Sequence, residues 1–242
     1  MERVILITGA NGGIGLAIAQ AFLDESPQNH VWMGVRARRD KTDALTMANP
    51  ERCHPIQLEV SEPEAWDRCV KEILRVHKRL DVLVNNAGGP ADDLLAMMTL
   101  EKWRKVLSSN LDSVFLGCHA VLPTMIGQRR GRIVNIASLS ALIPAAGQAN
   151  YAAAKAGVVA LTQSLAKEVA RAGVTVNVVC PGYIDTPALD HMSPEEKDRA
   201  KARVPMRRFG TPGEVAATVR FLACHEAAYI TGSVIKIDGG IL

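Results

Sequence analysis

Short apolar runs rich in β-branched residues alternate along the chain with longer stretches of helical periodicity. Several of the short runs are apolar at every position, as in Val-Ile-Leu-Ile at residues 4–7 and Val-Leu-Val at 82–84. This pattern is typical of parallel strands that helices cover on both faces. It predicts strands at residues 4–8, 31–35, 55–60, 81–85, 132–137, 174–179 and 234–237, and helices at 14–24, 63–77, 100–127, 151–172, 194–203 and 212–224.

The regular alternation of strand and helix predicts an α/β fold: one doubly wound domain over residues 1–242, with a seven-stranded parallel sheet and helices on both faces. No Pro-, Gly- or Ser-rich linker and no internal repeat divides the sequence. The polar stretch 187–209 is the least regular one, and we consider it a candidate lid over a site.

Composition and charge exclude several classes of protein. Hydrophobic residues make up 48% of the 242 residues and charged residues 22%, values typical of a globular domain. The formal net charge of +3 is too small for a protein that works mainly by neutralising phosphates, so we expect no nucleic-acid partner. The five cysteines are an odd number at wide spacings, which favours reduced thiols.

Neither targeting nor metal binding has a sequence signal here. The apolar run at residues 4–7 is shorter than a secretory core of ~7–15 residues. Residues 133–154 lack charges but carry too many polar side chains for a lipid-facing span. We therefore expect a cytoplasmic protein without membrane contact. Its six histidines show no metal-ligand spacing, so no metal site is expected.

A glycine-rich segment, Thr-Gly-Ala-Asn-Gly-Gly-Ile-Gly at residues 8–15, joins the first predicted strand to the first helix. Free N–H groups and the dipole at a helix start suit a pyrophosphate, and glycines let a ligand approach the backbone. The spacing differs from Gly-x-Gly-x-x-Gly. Taken alone, the segment fits a nucleotide-binding loop and a tight turn equally well.

Three polar side chains form a candidate catalytic group. Tyr151 and Lys155 lie four residues apart on one face of a predicted helix, and Ser138 follows the strand at residues 132–137. A phenol can supply both a hydrogen bond and a proton to an oxygen on which negative charge develops. Because the ordinary pKa of tyrosine is ~10, we expect Lys155 to stabilise the phenolate.

Together with Asn-Asn-Ala-Gly at residues 85–88, these features resemble the short-chain dehydrogenase/reductase family, from Thr8 to Gly240. The resemblance implies a Rossmann-type fold and a bound NAD(P). It gives Lys155 a second role in holding the ribose, makes Ser138 a second oxyanion donor, and assigns Asn110 to a proton relay through water. Tyr151 and Lys155 would also touch the cofactor. The other residues that the resemblance implies for the cofactor are Gly9, Asn11, Gly12, Gly13, Ile14, Gly15, Glu59, Val60, Asn86, Ala87, Gly88, Pro181, Gly182, Ile184 and Thr186.

The end of the second strand favours NADP(H) over NAD(H). A carboxylate there would bind the ribose 2′-hydroxyl, but the sequence continues as Arg36-Ala37-Arg38-Arg39. A guanidinium binds a 2′-phosphate through two charge-assisted hydrogen bonds, so Arg36 is the expected partner.

Within the family, the segments at residues 92–95, 147–157, 208–215 and 229–232 are similar to 3-oxoacyl-[acyl-carrier-protein] reductases. This implies reduction of a 3-oxoacyl thioester, in fatty acid or in polyketide or polyene assembly. It also implies a homotetramer and an acidic carrier protein that docks near Arg129, Arg130 and Arg132. Two alternatives remain open: a dehydrogenase of another small alcohol or ketone, and a nucleotide-binding scaffold protein without turnover.

Overall fold

The computed structural model describes residues 2–37, 40–190 and 192–242. Its strands are β1 (Val4–Thr8), β2 (His30–Val35), β3 (Cys53–Gln57), β4 (Val82–Asn85), β5 (Gly131–Ile136), β6 (Val174–Pro181) and β7 (Val234–Ile237). Its α-helices are α1 (Gly13–Glu25), α2 (Asp40–Ala48), α3 (Pro63–His77), α4 (Leu100–Leu107), α5 (Ser113–Gly127), α6 (Ala149–Val169), α7 (Pro194–Arg203) and α8 (Pro212–Leu222).

The seven strands form one sheet in the order β3-β2-β1-β4-β5-β6-β7, with every neighbouring pair parallel. The strand order reverses between the neighbouring strands β1 and β4, because the chain returns from the edge strand β3 to start β4 beside β1. Ligands bind outside the carboxyl ends of strands at such a switch point. The glycine turn follows β1, and residues 86–88 follow β4, so both lie at this point.

Two apolar cores cover the two faces of the sheet and confirm the predicted doubly wound arrangement. On one face, Trp66 of α3, Val121 of α5 and Val158 of α6 are buried against the strands. On the other, Phe22 of α1 and Val219 of α8 are fully buried. No helix among the described residues has the length and apolar character needed to cross a bilayer.

The structure corrects several predicted boundaries. The sequence pattern did not predict helix α2, and β3 begins and ends earlier than residues 55–60 because it aligns with β2 from Val31↔Cys53 to Val35↔Gln57. The proline at position 55 is tolerated because β3 is an edge strand. The single long helix expected over 100–127 is divided by a π-helical turn, Ser108–Asp112.

Candidate active site

Ser138 lies two residues beyond the end of β5, at the carboxyl edge of the sheet. Its hydroxyl accepts a hydrogen bond from the Ser140 N–H at 3.1 Å and so caps the 3₁₀ turn Leu139–Ala141. Its own backbone N–H donates to the sulfur of Cys180, in the neighbouring strand β6. These contacts fix the serine beside the end of β6, where Tyr151 also reaches it.

Tyr151 is in the first turn of α6 and is hydrogen-bonded to the Ser138 side chain. Burial raises the pKa of the Tyr151 hydroxyl, although the bond to Ser138 acts in the opposite direction. The phenol is therefore neutral near pH 7. A neutral phenol beside a second hydroxyl can donate both a hydrogen bond and a proton to a substrate oxygen.

Lys155 lies one helical turn beyond Tyr151 and is almost fully buried, with 3% of its surface exposed. Its ammonium donates to the Ile136 carbonyl oxygen at 2.9 Å and lies 5.7 Å from the centre of the Tyr151 ring. Burial lowers the pKa of Lys155 from 10.5 to about 8. Burial, Ser138 and Asp92 account for the shifted pKa of Tyr151, so the expectation that this ammonium stabilises the phenolate stays a prediction.

Asn110 is fully buried at the centre of the π-helical turn. Its amide nitrogen donates to the Gly89 carbonyl at 3.0 Å and to the Val106 carbonyl at 2.9 Å. Its amide oxygen is buried and has no hydrogen-bond partner among the described residues. A Cβ on Gly88 would lie 2.4 Å from this oxygen, so the segment after β4 fits closely over it. Asn110 thus joins the irregular helix to that segment.

The glycine turn and the segment after β4 are packed so closely that side chains would separate them. Gly9 has φ +64°, and a Cβ there would lie 2.9 Å from the Ala87 Cα. A Cβ on Gly15 would lie 2.4 Å from the Gly9 carbonyl oxygen. The Asn86 amide donates to the carbonyls of Thr8 at 3.0 Å and Gly9 at 3.2 Å. The side chain of Asn86 therefore holds the turn in shape.

The start of α1 fits a dinucleotide pyrophosphate. No acidic residue lies in its first turn, and Gly12, at the cap position, is exposed and offers no side chain to satisfy the free N–H groups. Asn11 makes different contacts, since its amide oxygen accepts from the Lys41 N–H at 3.1 Å and its amide nitrogen donates to Asp40. The Asn11 side chain thus anchors the start of α2.

The predicted adenosine-side residues lie at the ends of β2 and β3. The guanidinium of Arg36 is 79% exposed and lies 4.0 Å from the carboxylate of Glu59. Glu59 also accepts from the Ser61 hydroxyl at 2.9 Å, and the Val60 carbonyl accepts from the Trp66 indole at 2.9 Å. Arg38 and Arg39 lie outside the described residues.

The segment after β6 lies against the glycine turn. The Thr186 methyl would be 2.8 Å from a Cβ on Gly13, so this threonine stands directly over the start of α1. Ile184 is buried and bridges to Gly210. Pro181 ends β6, and the Gly182 N–H donates to the Ile237 carbonyl at 2.9 Å. The structure therefore brings this segment to the same crevice as residues 9–15.

Sequence reasoning missed a hydrogen-bonded chain beside Tyr151. The Ser140 hydroxyl donates to the Gln148 amide oxygen at 2.8 Å, and the Gln148 amide nitrogen donates to the Asp92 carboxylate at 2.9 Å. Lys102 continues the chain by donating to the Asp92 carbonyl at 2.7 Å. The chain joins the loop after β4 to the start of α6 and so encloses the tyrosine from one side. The motif segments at 92–95 and 147–157 were its only sequence signal.

The arginines expected to dock a carrier lie at the other edge of the sheet. Arg132 is the second residue of β5, whose six residues span about 20 Å before Ser138 is reached. Its guanidinium is half-buried and donates to the Gly131 carbonyl at 2.9 Å, which leaves it less able to bind a partner. Arg129 is exposed and Arg130 partly exposed. These arginines are thus well separated from Ser138 and Tyr151 within one chain.

Comparisons with known proteins agree with this geometry. Residues 9–242 match the family model described as enoyl-(acyl carrier protein) reductase. A 3-oxoacyl-[acyl-carrier-protein] reductase of Thermotoga maritima is 40% identical, with 99% of this chain and 98% of the relative aligned. Such a reductase from Vibrio cholerae is 41% identical over 99% and 97%, and one from Synechocystis is 42% identical over 99% and 97%. By its sheet, its glycine turn and these full-length similarities, the chain belongs to the short-chain dehydrogenase/reductase family.

Proposed function

We propose that this protein reduces a 3-oxoacyl thioester, carried on an acyl carrier protein, to the 3-hydroxyacyl thioester with NADPH. The observation that carries the proposal is the neutral Tyr151 phenol, hydrogen-bonded to Ser138 at the carboxyl edge of the sheet. The curated relatives over nearly the whole chain are reductases of this kind. A scaffold protein without turnover would need no such pair of donors.

The proposed reaction places a hydroxyl on either side of the substrate oxygen. Tyr151 and Ser138 donate hydrogen bonds to the 3-oxo group, and Tyr151 gives its proton to the oxygen as negative charge develops there. NADPH, when bound, supplies the hydride to the carbonyl carbon. Lys155, one turn further along α6, is placed to hold the ribose and to return a proton towards Tyr151.

NADPH is proposed over NADH because no carboxylate stands at the end of β2, where Arg36 is free to turn towards a 2′-phosphate across a largely exposed surface. The carboxylate of Glu59 lies 4.0 Å from the same guanidinium. An exposed pair at this distance contributes ~0–1 kcal/mol, so a phosphate that accepts two hydrogen bonds from the guanidinium would displace it.

The carrier is proposed to dock on the basic edge formed by Arg129 and Arg130. Since the edge lies across the sheet from Ser138, a carrier docked there would serve the site of another protomer in the expected homotetramer. The protein is also proposed to be cytoplasmic, because its five cysteines are free thiols.

The test is turnover of a short 3-oxoacyl thioester, free and carrier-bound, with NADPH and NADH compared. We expect oxidation of NADPH with the 3-oxo substrate, and loss of at least ~1,000-fold in kcat for Tyr151→Phe with NADPH affinity nearly unchanged. A 2-enoyl thioester belongs in the panel because of the family model's description, and a preference for it would refute the proposal. Turnover confined to simple alcohols would favour the dehydrogenase alternative instead.

A further inference from the structure

Three histidines that are remote from one another in sequence meet at the edge of the sheet opposite the active site. His30 is the first residue of β2, His54 the second of β3, and His77 the last of α3. The pairing of β2 with β3 places Trp32 beside His54 and so brings His30 next to the same ring. All three imidazoles are partly exposed, so an ion in solution can reach them.

The nitrogens of the cluster are spaced for a metal ion. The Nδ1 of His30 lies 3.4 Å from the Nε2 of His54. Two imidazole nitrogens bound tetrahedrally to Zn²⁺, each at ~2.0–2.1 Å, are ~3.3–3.4 Å apart. With one nitrogen of His77 included, the three atoms lie within 4.8 Å of one another. In a tetrahedral zinc site, the larger of these separations would shorten to ~3.3–3.4 Å.

Two further features favour a cation at this place. The Nε2 of His77 is buried and has no hydrogen-bond partner among the residues the structure describes, so this nitrogen is available to bind a metal ion. His77 also ends α3, and the carboxyl end of a helix attracts positive charge. The Glu2 carboxylate lies 4.0 Å from the Nε2 of His30, the ring nitrogen that faces away from His54.

A carboxylate on the outer nitrogen of a metal-binding histidine is a common arrangement, because it fixes the ring that binds the metal. Burial lowers the pKa of His54 to about 4, and that of His77 is lowered in the same way. These two rings are therefore neutral at pH 7, which is the form that binds metals.

We propose that His30, His54 and His77 form a binding site for Zn²⁺, with water in the remaining position. Local spacing gave no sign of it, since the three residues are 24 and 23 positions apart and meet only through the β2–β3 register. The competing interpretation is an aromatic cluster, because the ring of Trp32 lies 4.8 Å from that of His54. The bound ion would join the starts of two strands to the end of α3. It lies far from Tyr151, so turnover should not require it.

The experiment titrates Zn²⁺ into tag-free, chelator-dialysed protein against a competing indicator dye. We expect one Zn²⁺ per chain and a rise in Tm of about 5–10 °C at a hundred times Kd. His54→Phe and His77→Phe keep a ring in the cluster but remove a ligand, and each should weaken binding by at least ~100-fold. The matched control is His225→Phe, an exposed histidine elsewhere, which should leave binding unchanged.

The absence of stoichiometric binding, or equal affinity in wild type and both cluster variants, would overturn the site and leave the aromatic cluster. If a variant fails to fold, X-ray absorption of the wild-type chain still tests the site. X-ray absorption of the zinc-loaded protein should show three imidazole nitrogens at ~2.0–2.1 Å, and fewer than two histidine ligands would equally refute the proposal.

Discussion

Replacing Lys155 by methionine should abolish turnover and yet leave the protein as stable as the wild type, or more so. Burial lowers the pKa of Lys155 from the ordinary 10.5 to about 8, and this shift corresponds to the cost of burying its charge. At about 1.36 kcal/mol for each pKa unit, the charged form costs about 3 kcal/mol near pH 7. Methionine has similar length and no charge. The substitution removes the hydrogen bond to the Ile136 carbonyl, which costs about 1–3 kcal/mol.

The sign of the pH dependence distinguishes this reasoning from ordinary packing. Because the pKa of folded Lys155 lies below that of the unfolded chain, its destabilising contribution is fully present below pH 8. It disappears as the pH rises through 10.5, the unfolded value. We expect the advantage of Lys155→Met over wild type to shrink by about 2–3 kcal/mol between about pH 7 and pH 10. Other titrating groups are common to both proteins and cancel in the difference.

The assay is urea unfolding followed by tryptophan fluorescence at about pH 7, 8.5 and 10, for wild type and variant in parallel. At this chain length, 1 kcal/mol corresponds to about 2–4 °C in Tm, so thermal melts give a second measure. The control is Lys167→Met, an exposed lysine on the same helix, whose stability difference should not change with pH. A variant less stable than wild type at pH 7 by over about 1 kcal/mol, or a flat pH profile, would refute the assigned burial cost.

Other predictions concern the glycine turn, the cofactor and the carrier. Gly15→Ala should lower stability by about 1–3 kcal/mol and weaken NADPH binding, because its Cβ would lie 2.4 Å from the Gly9 oxygen, whereas Gly213→Ala, with 3.8 Å to its nearest neighbour, should change neither. Arg36→Glu should shift the ratio of NADPH to NADH efficiency at least ~10-fold towards NADH, and an unchanged ratio would place the 2′-phosphate elsewhere. Arg129→Glu should raise KM for the carrier-bound thioester alone, and an equal rise for the free thioester would count against docking at that edge.

The sheet was predictable from the sequence because its strands are apolar on both faces and its long helices carry wide apolar stripes. Helix α2 and the π-helical turn were not predicted, because their local sequence signals are weak. Helix α2 buries only Thr42 and Leu45, and its start is held by Asn11, 30 residues away, so its pattern is weak. The residue types in the π-helical turn also suit a regular α-helix, and the turn differs from one in its backbone hydrogen bonds. The sequence indicated the helix but could not locate its interruption.

The proposed catalytic residues could be selected individually from the sequence, because Ser138, Tyr151 and Lys155 stand at the start or end of regular elements. Their protonation states could not be predicted, because these depend on burial. The Lys155 side chain donates to a backbone carbonyl of β5 and lies in the core, a contact that no spacing reveals. Asn11 and Asn86 were predicted to bind the cofactor, and in the structure their side chains anchor the loops after β1 and β4.

The raised pKa of Tyr151 keeps the phenol protonated, and this is the form that the proposed reduction uses. Reduction of a ketone needs a proton donor at the oxygen on which negative charge develops, and the neutral phenol can be that donor. Lys155 acts in the opposite sense: once a negatively charged oxygen or cofactor lies beside it, its charged form is favoured and the buried cation gains a partner. On helix α6, Tyr151 is therefore protonated before substrate binds. The cost of burying the Lys155 charge is offset when a negatively charged ligand binds beside it.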